Sequence, residues 1–329
     1  MKKTDLTPFS DIPSEKIDWL WEPYIPFGKI TILQGDPGAG KTLLGLKIAA
    51  ACSTGYGLPG MRSFPQIKVI YQSAEDGLGD TLKPRLEKEH ANLDNIFNIR
   101  EDESYLDFDS DKIKEAILQT GARLVIFDPI QGYIGPNVNM NRANEVRAKM
   151  HKLVNIATAT GCAILLIGHL NKASKMSSAY RGLGSIDFRA TVRSVLTIGK
   201  IPTSETRVIA HDKSSLIKNG DSLGFTINDD GTIHWVNGYE KLSSDDLLHD
   251  PGSIGSLTKQ AQAKKFIEEM LSHGEPIYSK DIFSCAKELG ISHRTVLYVK
   301  ERMENVISKK IGDLWYWCLN LPISEEELF

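Results

Sequence analysis

Cysteine is scarce in this sequence. Cys52, Cys162, Cys285 and Cys318 lie far apart, and none belongs to a CxxC or a Cys/His cluster. That excludes a disulfide framework and a thiolate zinc site, and points to buried free thiols in a reducing compartment. Long apolar runs are missing too, since no stretch of about 18 such residues is present to span a bilayer. The opening MKKTDLTPFSD has no apolar segment behind its lysines, so it does not read as a secretory signal. An excess of basic charge is also lacking. The net charge of −3 argues against a general nucleic-acid coat, though not against a local basic loop. Internal repeats and low-complexity tracts are absent. A soluble cytoplasmic protein is expected.

What is present is an alternation of short apolar runs and helical stretches. Most of the runs Ile30–Gln34, Lys68–Ser73, Leu124–Asp128, Ala163–Gly168, Ser194–Ile198 and Arg207–His211 lack a period of two. Strands buried on both faces of a parallel sheet have that pattern. Helices are expected between them at Thr42–Ser53, Leu78–Glu89, Ser110–Gln119 and Arg142–Thr160, as crossover connections of a doubly wound α/β domain. Leu223–Val236, with NDDG at its centre, reads as a closing hairpin. After Tyr239 the composition turns to Ser, Asp and Gly and reads as a linker. Helices at Gln260–Leu271, Ser279–Leu289 and Ser292–Glu304 and a hairpin in VISKKIGDLWYWCL then suggest a small winged helix-turn-helix. The expected division is a segment 1–27, an α/β domain 28–240, a linker 241–257, the small domain 258–322 and a tail 323–329.

The most specific signal is GDPGAGKT, with Gly35, Asp36, Pro37, Gly38, Ala39, Gly40, Lys41 and Thr42 followed by Leu43. It matches GxxxxGK[ST] between a strand and a helix, the context of a phosphate-binding loop. Glycines let backbone N–H groups turn toward phosphate oxygens, and the helix N-terminus adds its positive end. Lys41 is placed to meet the β- and γ-phosphates, and Thr42 to ligate Mg²⁺. A dinucleotide site is excluded, because no glycine stands three residues after Gly40. RLVIFDPI ends in Asp128, which suits a metal-orienting aspartate at a strand end. Pro129 occupies the position where many P-loop proteins carry the catalytic acid. KVIYQSAED offers Glu75 instead, after the second strand, as in RecA-like proteins, with Asp76 or a helix cap as alternatives. CAILLIGHL ends in His169, placed to hydrogen-bond a γ-phosphate as a sensor, with a core or capping histidine as the plainer reading.

Taken in order, WLWEPYIPFGKITILQGDPGAGKT, YQSAED, LVIFDP, LLIGHLNK, YRGLGSIDFRATVRSVL and RVIAHDKSSL resemble RecA-like ATPases related to plasmid replicative helicases of the RepA type. The likeness is greatest to a bacterial branch found with mobile elements and prophages, which carries a C-terminal winged helix. It spans nearly the whole chain. The resemblance implies a hexameric ring that hydrolyses ATP between subunits and passes single-stranded DNA through its pore. It implies catalytic roles for Lys41, Glu75 and His169. It also implies a cation sent into the neighbouring site from TRVIAHDKSSL, with Arg207 and Lys213 as candidates and Arg181 and Arg193 in other family motifs. No primase or helicase-associated domain is expected in the 27 residues ahead of the core, so loading or translocation without unwinding is an alternative reading.

Two features suggest contacts with DNA. NKASKMSSAYRGLGS after His169 carries Lys172, Lys175 and Arg181 without an acid, which suits a loop gripping a single-stranded backbone. LGISHRTV has the glycine turn of a helix-turn-helix, and the following helix offers Arg294, Lys300 and Arg302 to duplex DNA. Between Lys259 and Asp313 ten Lys/Arg stand against eight Asp/Glu, so this domain is only weakly basic and a protein-docking role is the rival. An ATP- and Mg²⁺-dependent DNA motor is thus expected, with an ATP-switched DNA-binding regulator as the alternative from another class.

Overall fold

The computed structural model describes residues 6–61, 63–100, 106–135, 138, 142–169, 186–201, 204–249, 260, 262–264, 266–272, 275–303 and 305–319. Its centre is a sheet of nine strands. In chain order these are β3 (Ile30–Gly35), β4 (Val69–Ser73), β5 (Ile96–Phe97), β6 (Leu124–Asp128), β7 (Ala163–His169), β8 (Ser194–Lys200), β9 (Arg207–Ser214), β10 (Leu223–Ile227) and β11 (Ile233–Val236). A small hairpin of β1 (Trp19–Trp21) and β2 (Ile25–Pro26) precedes them.

The sheet order is β11-β10-β9-β8-β3-β7-β6-β4-β5. From β5 to β8 every pairing is parallel, and from β8 to β11 every pairing is antiparallel. The parallel part arises because its strands are connected by α1 (Lys41–Thr54), α2 (Lys83–Lys88), α3 (Lys112–Thr120), α4 (Ala143–Thr160) and α5 (Ile186–Thr191). Side chains of the central strands alternate between two cores. Leu33, Ile126 and Leu165 face α1 with its Leu44 and Ile48, whereas Ile30, Ile32, Val125 and Ile164 face α3 and α4 with Ile113, Met150 and Leu153. Both faces are covered, so the strands show no polar alternation. Gly45 explains how close α1 lies: a Cβ there would meet Ile167 Cδ1 at 2.6 Å and the Tyr71 hydroxyl at 3.2 Å.

Two local features differ from the sequence expectation. The stretch read as one helix over Leu78–Glu89 opens with a wide turn, Leu78–Leu82, before α2. Thr81 and Leu82 both donate to the Gly77 carbonyl there. The stretch read as linker carries α6 (Ser244–His249), whose Leu247, with Leu242, packs on Ile201, Val208 and Ala210. Ser244 Oγ donates to Asp212 at 2.6 Å and fixes that helix to β9. Residues 250–259 lie outside the described set.

The C-terminal part has its own core. It contains α7 (residues 266–271), β12 (Ile277–Tyr278), α8 (Ser279–Glu288), α9 (His293–Lys300), β13 (Val306–Ile311) and β14 (Leu314–Leu319). The three strands pair in the order β12-β14-β13. Ile267, Leu271, Ile282, Ala286, Val296, Val299 and Trp317 close one apolar cluster. Gly290, at φ +70°, makes the turn between α8 and α9, and Ser292 caps α9 by accepting from Thr295 N. Trp317 belongs to this core, whereas Trp315, two residues earlier on the same face of β14, is 53% exposed.

Candidate active site at the carboxyl edge of the sheet

β3 ends at Gly35 and α1 begins at Lys41, so the glycine-rich loop turns at the carboxyl edge of the parallel strands. Gly38 and Gly40 have φ of +76° and +91°, values an L side chain adopts only with strain. The Lys41 ammonium is buried and donates to the carbonyls of Gly35 and Asp36, each at 2.9 Å. Burial pushes its pKa down, and the charges of Asp128, Asp36 and Glu75 pull the other way.

Asp128 ends β6 one strand away from β7 and stands beside Ser73 of β4. It is buried, and Tyr71 donates its phenolic hydrogen to Oδ2 at 2.8 Å. Thr42 also hydrogen-bonds this carboxylate. Burial pushes the Asp128 pKa up, the two hydroxyl donors pull it down, and the neighbouring Asp76 and Glu75 raise it again. His169 ends β7 directly beside Gly35. Its pKa is pushed down, first by burial and next by Lys41, against the pull of Glu75 and Asp128. Its Nδ1 is buried without a partner. Lys41, Thr42, Glu75, Asp128 and His169, singled out in the sequence, are thus gathered at one edge.

Glu75 and Asp76 differ in what holds them. Asp76 is paired with Arg85 at 3.1 Å and its N–H is bonded to Ser73 Oγ. Glu75 is exposed and makes no hydrogen bond or ion pair with the described residues.

Arg207 and Lys213, grouped by the resemblance, are separated. Arg207 pairs with Lys200 and Lys213 with Val195, so they stand at opposite ends of β9. Six residues of strand make that about 20 Å. Lys213 donates to the carbonyl of Val192 at 3.0 Å and to that of Arg189, at the end of α5. Arg207 instead lies against the glycine-rich loop of its own chain, where a Cβ at Gly40 would meet its Cδ at 3.5 Å. The pair therefore does not act at one point.

Lys172, Lys175 and Arg181 lie outside the described residues. Arg193 is exposed, as are Arg294 and Arg302 on and after α9. The Arg302 guanidinium sits 3.4 Å from the Tyr298 ring, and the Lys300 ammonium 5.7 Å from that of Trp317. Tyr71 was not singled out in the sequence. An aromatic inside a buried strand reads as core, and only its polar tip hints at the bond to Asp128.

A family model described as an AAA domain, AAA_25, matches residues 3–175, more than half of the chain. The chain belongs to this AAA domain family. Within it the protein is a RecA-like P-loop ATPase. It is 29% identical over 147 residues to the DNA repair protein RadA of Halalkalibacterium halodurans, covering 44% of this chain and 28% of that one. The match to RadA of Chlamydia pneumoniae is 26% over 152 residues, covering 46% and 30%. The AAA domain chain thus spans less than a third of the relatives it matches. Among solved structures, a DnaB-like replicative helicase with its primase interactions aligns at TM-score 0.49 and 13% identity, covering 63% of this chain and 57% of that one. The ATPase domain of G40P aligns at 0.49 and 14%, covering 64% and 84%. No helix among the described residues is long and apolar enough to cross a membrane.

Proposed function

We propose that this chain hydrolyses ATP with Mg²⁺ and acts on DNA as a RecA-like motor, a helicase or helicase-like ATPase in the replication or recombination of a mobile element. The observation that carries the reading is the convergence of Lys41, Thr42, Glu75, Asp128 and His169 on one sheet edge, each within the electrostatic field of others. The residues present fit a metal-bound nucleotide. Gly38 and Gly40 give the loop its left-handed turns, the buried ammonium of Lys41 wants an anion, and the Thr42–Asp128 pair offers one hydroxyl and one carboxylate. Gly35 to Leu43 would hold the phosphates, and Thr42 and Asp128 the Mg²⁺. When bound, the magnesium nucleotide supplies the phosphoryl group and the charge neutralisation for its transfer to water. Glu75, unpaired and exposed, takes the proton of that water. His169 answers to the γ-phosphate through its free ring nitrogen. Lys213 is the candidate for a cation lent to a neighbouring subunit of a hexamer.

The C-terminal elements read as a winged helix-turn-helix over 258–322, with α9 as recognition helix and Lys309 and Lys310 of β13 on the wing. That domain would take duplex DNA, and the loop after His169 single strands. A DNA substrate implies the cytoplasm. The relatives' names, DNA repair proteins, support a second reading, a recombination mediator or loader that does not unwind. ATPase rates with and without single-stranded DNA, measured beside oligomer mass and forked-duplex unwinding, test both. Stimulation with unwinding supports the motor, stimulation alone supports the mediator, and turnover indifferent to single strands removes both.

A further inference from the structure

The strand carrying Arg207 is expected to serve a neighbouring subunit, yet the side chain is folded onto its own. Arg207 opens β9 at the edge of the sheet where the glycine-rich loop turns, because β9 runs antiparallel to β8. A Cβ at Gly40 would stand 3.5 Å from Arg207 Cδ and 3.6 Å from its Nε, so the arginine stem covers this glycine. Ile227, at the end of β10, flanks the same position, with its Cδ1 2.9 Å from that Cβ. Arginine stem and isoleucine together form a wall beside the loop that begins the phosphate cradle.

The charge on this wall has no carboxylate partner among the described residues. Nη1 donates to the Glu205 carbonyl at 2.9 Å, which anchors one arm of the guanidinium. Nε is buried and bonds to nothing. The obvious acid, the Glu205 carboxylate, is taken by Lys200 at 3.0 and 3.1 Å. Among the described residues Arg207 has no ion pair at all. A buried guanidinium N–H left without an acceptor is costly, and such groups in folded proteins mark a missing partner. An anion beside Gly40 is the partner this geometry accommodates, and the guanidinium fork matches phosphate oxygens well.

We propose that Arg207 contacts the phosphates of the nucleotide bound by its own chain, in cis, rather than serving as a finger in the next subunit. The proposal rests on the nucleotide reading of the glycine-rich loop. It divides the labour of β9: the Arg207 end belongs to the home site, and the Lys213 end, bonded to the carbonyls of Arg189 and Val192, does not. It also makes Arg207 a binding residue whose loss is felt before any assembly.

Two experiments on the full-length chain test this. In the first, fluorescent ADP is titrated against wild type, Arg207→Ala and Arg207→Lys, at dilutions where mass photometry finds single chains. Arg207→Ala should weaken binding roughly 10- to 100-fold, the weight of a charge-assisted contact to phosphate. Arg207→Lys, which keeps stem and charge, should fall between and guards against a folding artefact. In the second, Arg207→Ala chains are mixed with Lys41→Ala chains and ATPase is followed. A cis arginine gives no rescue, because every intact P-loop then sits in a chain lacking Arg207. Rescue by mixing, or unchanged affinity in the single chain, would overturn the proposal. Loss of DNA affinity with nucleotide affinity intact would also overturn it and assign the guanidinium to the DNA backbone. If wild type binds no ADP, the nucleotide reading itself fails, an outcome distinct from the others.

Discussion

The phenol of Tyr71 donates to Asp128 Oδ2 at 2.8 Å inside a buried pocket between β4, β6 and α1. Thr42 hydrogen-bonds the same carboxylate. Tyr71→Phe keeps the ring and removes the donor. The half-saturating Mg²⁺ concentration for nucleotide binding should then rise several-fold, while binding in excess chelator stays at the wild-type value. Global stability should fall by about 1–2 kcal/mol, as when a buried acceptor loses its donor. An unaltered Mg²⁺ dependence would show that Thr42 alone orients Asp128.

Glu75 and Asp76 are told apart by the Arg85 ion pair, which occupies only Asp76. Glu75→Gln should lower turnover by at least ~10²-fold, with nucleotide affinity nearly unchanged, the usual weight of a general base. Asp76→Asn should cost far less. The reverse order of effects in steady-state kinetics would exchange the two roles.

Stability should depend on pH through His211. Gly220 N–H donates to its Nδ1 at 2.9 Å, and Nε2 faces Ser194 Oγ at 3.1 Å, so the buried ring is neutral. Burial holds its pKa down at about 4, below the ordinary 6.5. The unfolded chain takes up a proton between those values and the native one does not, so stability is full above pH 6.5 and declines as pH falls toward 4. At ~1.4 kcal/mol per unit the loss approaches about 3 kcal/mol. His211→Gln should flatten that slope in denaturant titrations between pH 7 and 4. A slope equal to wild type would place the titration elsewhere.

Removing everything after Leu257 should leave a chain that folds and binds nucleotide, because the C-terminal cluster around Trp317 is separate from the two cores of the sheet. Thermal melting and ADP titration check the first point. If affinity for duplex DNA survives the deletion, α9 is not its reader.

The parallel half of the sheet was legible because burial on both faces leaves continuous apolar runs. Leu124–Asp128 matches the expected strand residue for residue. Strands β8 and β9 are longer than expected, since their ends pair with each other beyond the apolar part. β5 and the β1–β2 hairpin, two or three residues per strand, carry too little pattern to be read. α6 was hidden in a polar stretch, where two leucines suffice to seat it. The motif residues were legible as chemistry. What their spacing did not convey is direction along a strand: Arg207 and Lys213, six residues apart, face different ends of the molecule.

Glu89 has both carboxylate oxygens engaged, one by Lys47 of α1 at 2.6 Å and the other by the backbone N–H of Ile233 in β11, also at 2.6 Å. Its side chain is 5% exposed, so each bond is strong and poorly screened. One carboxylate therefore bolts the helix behind the phosphate loop to the last hairpin of the sheet, though they are far apart in sequence. The two cannot part without breaking one of these bonds. In hydrogen–deuterium exchange the Ile233 amide and the amides of Lys41–Thr54 should open together, as one cooperative unit that Glu89→Gln splits in two.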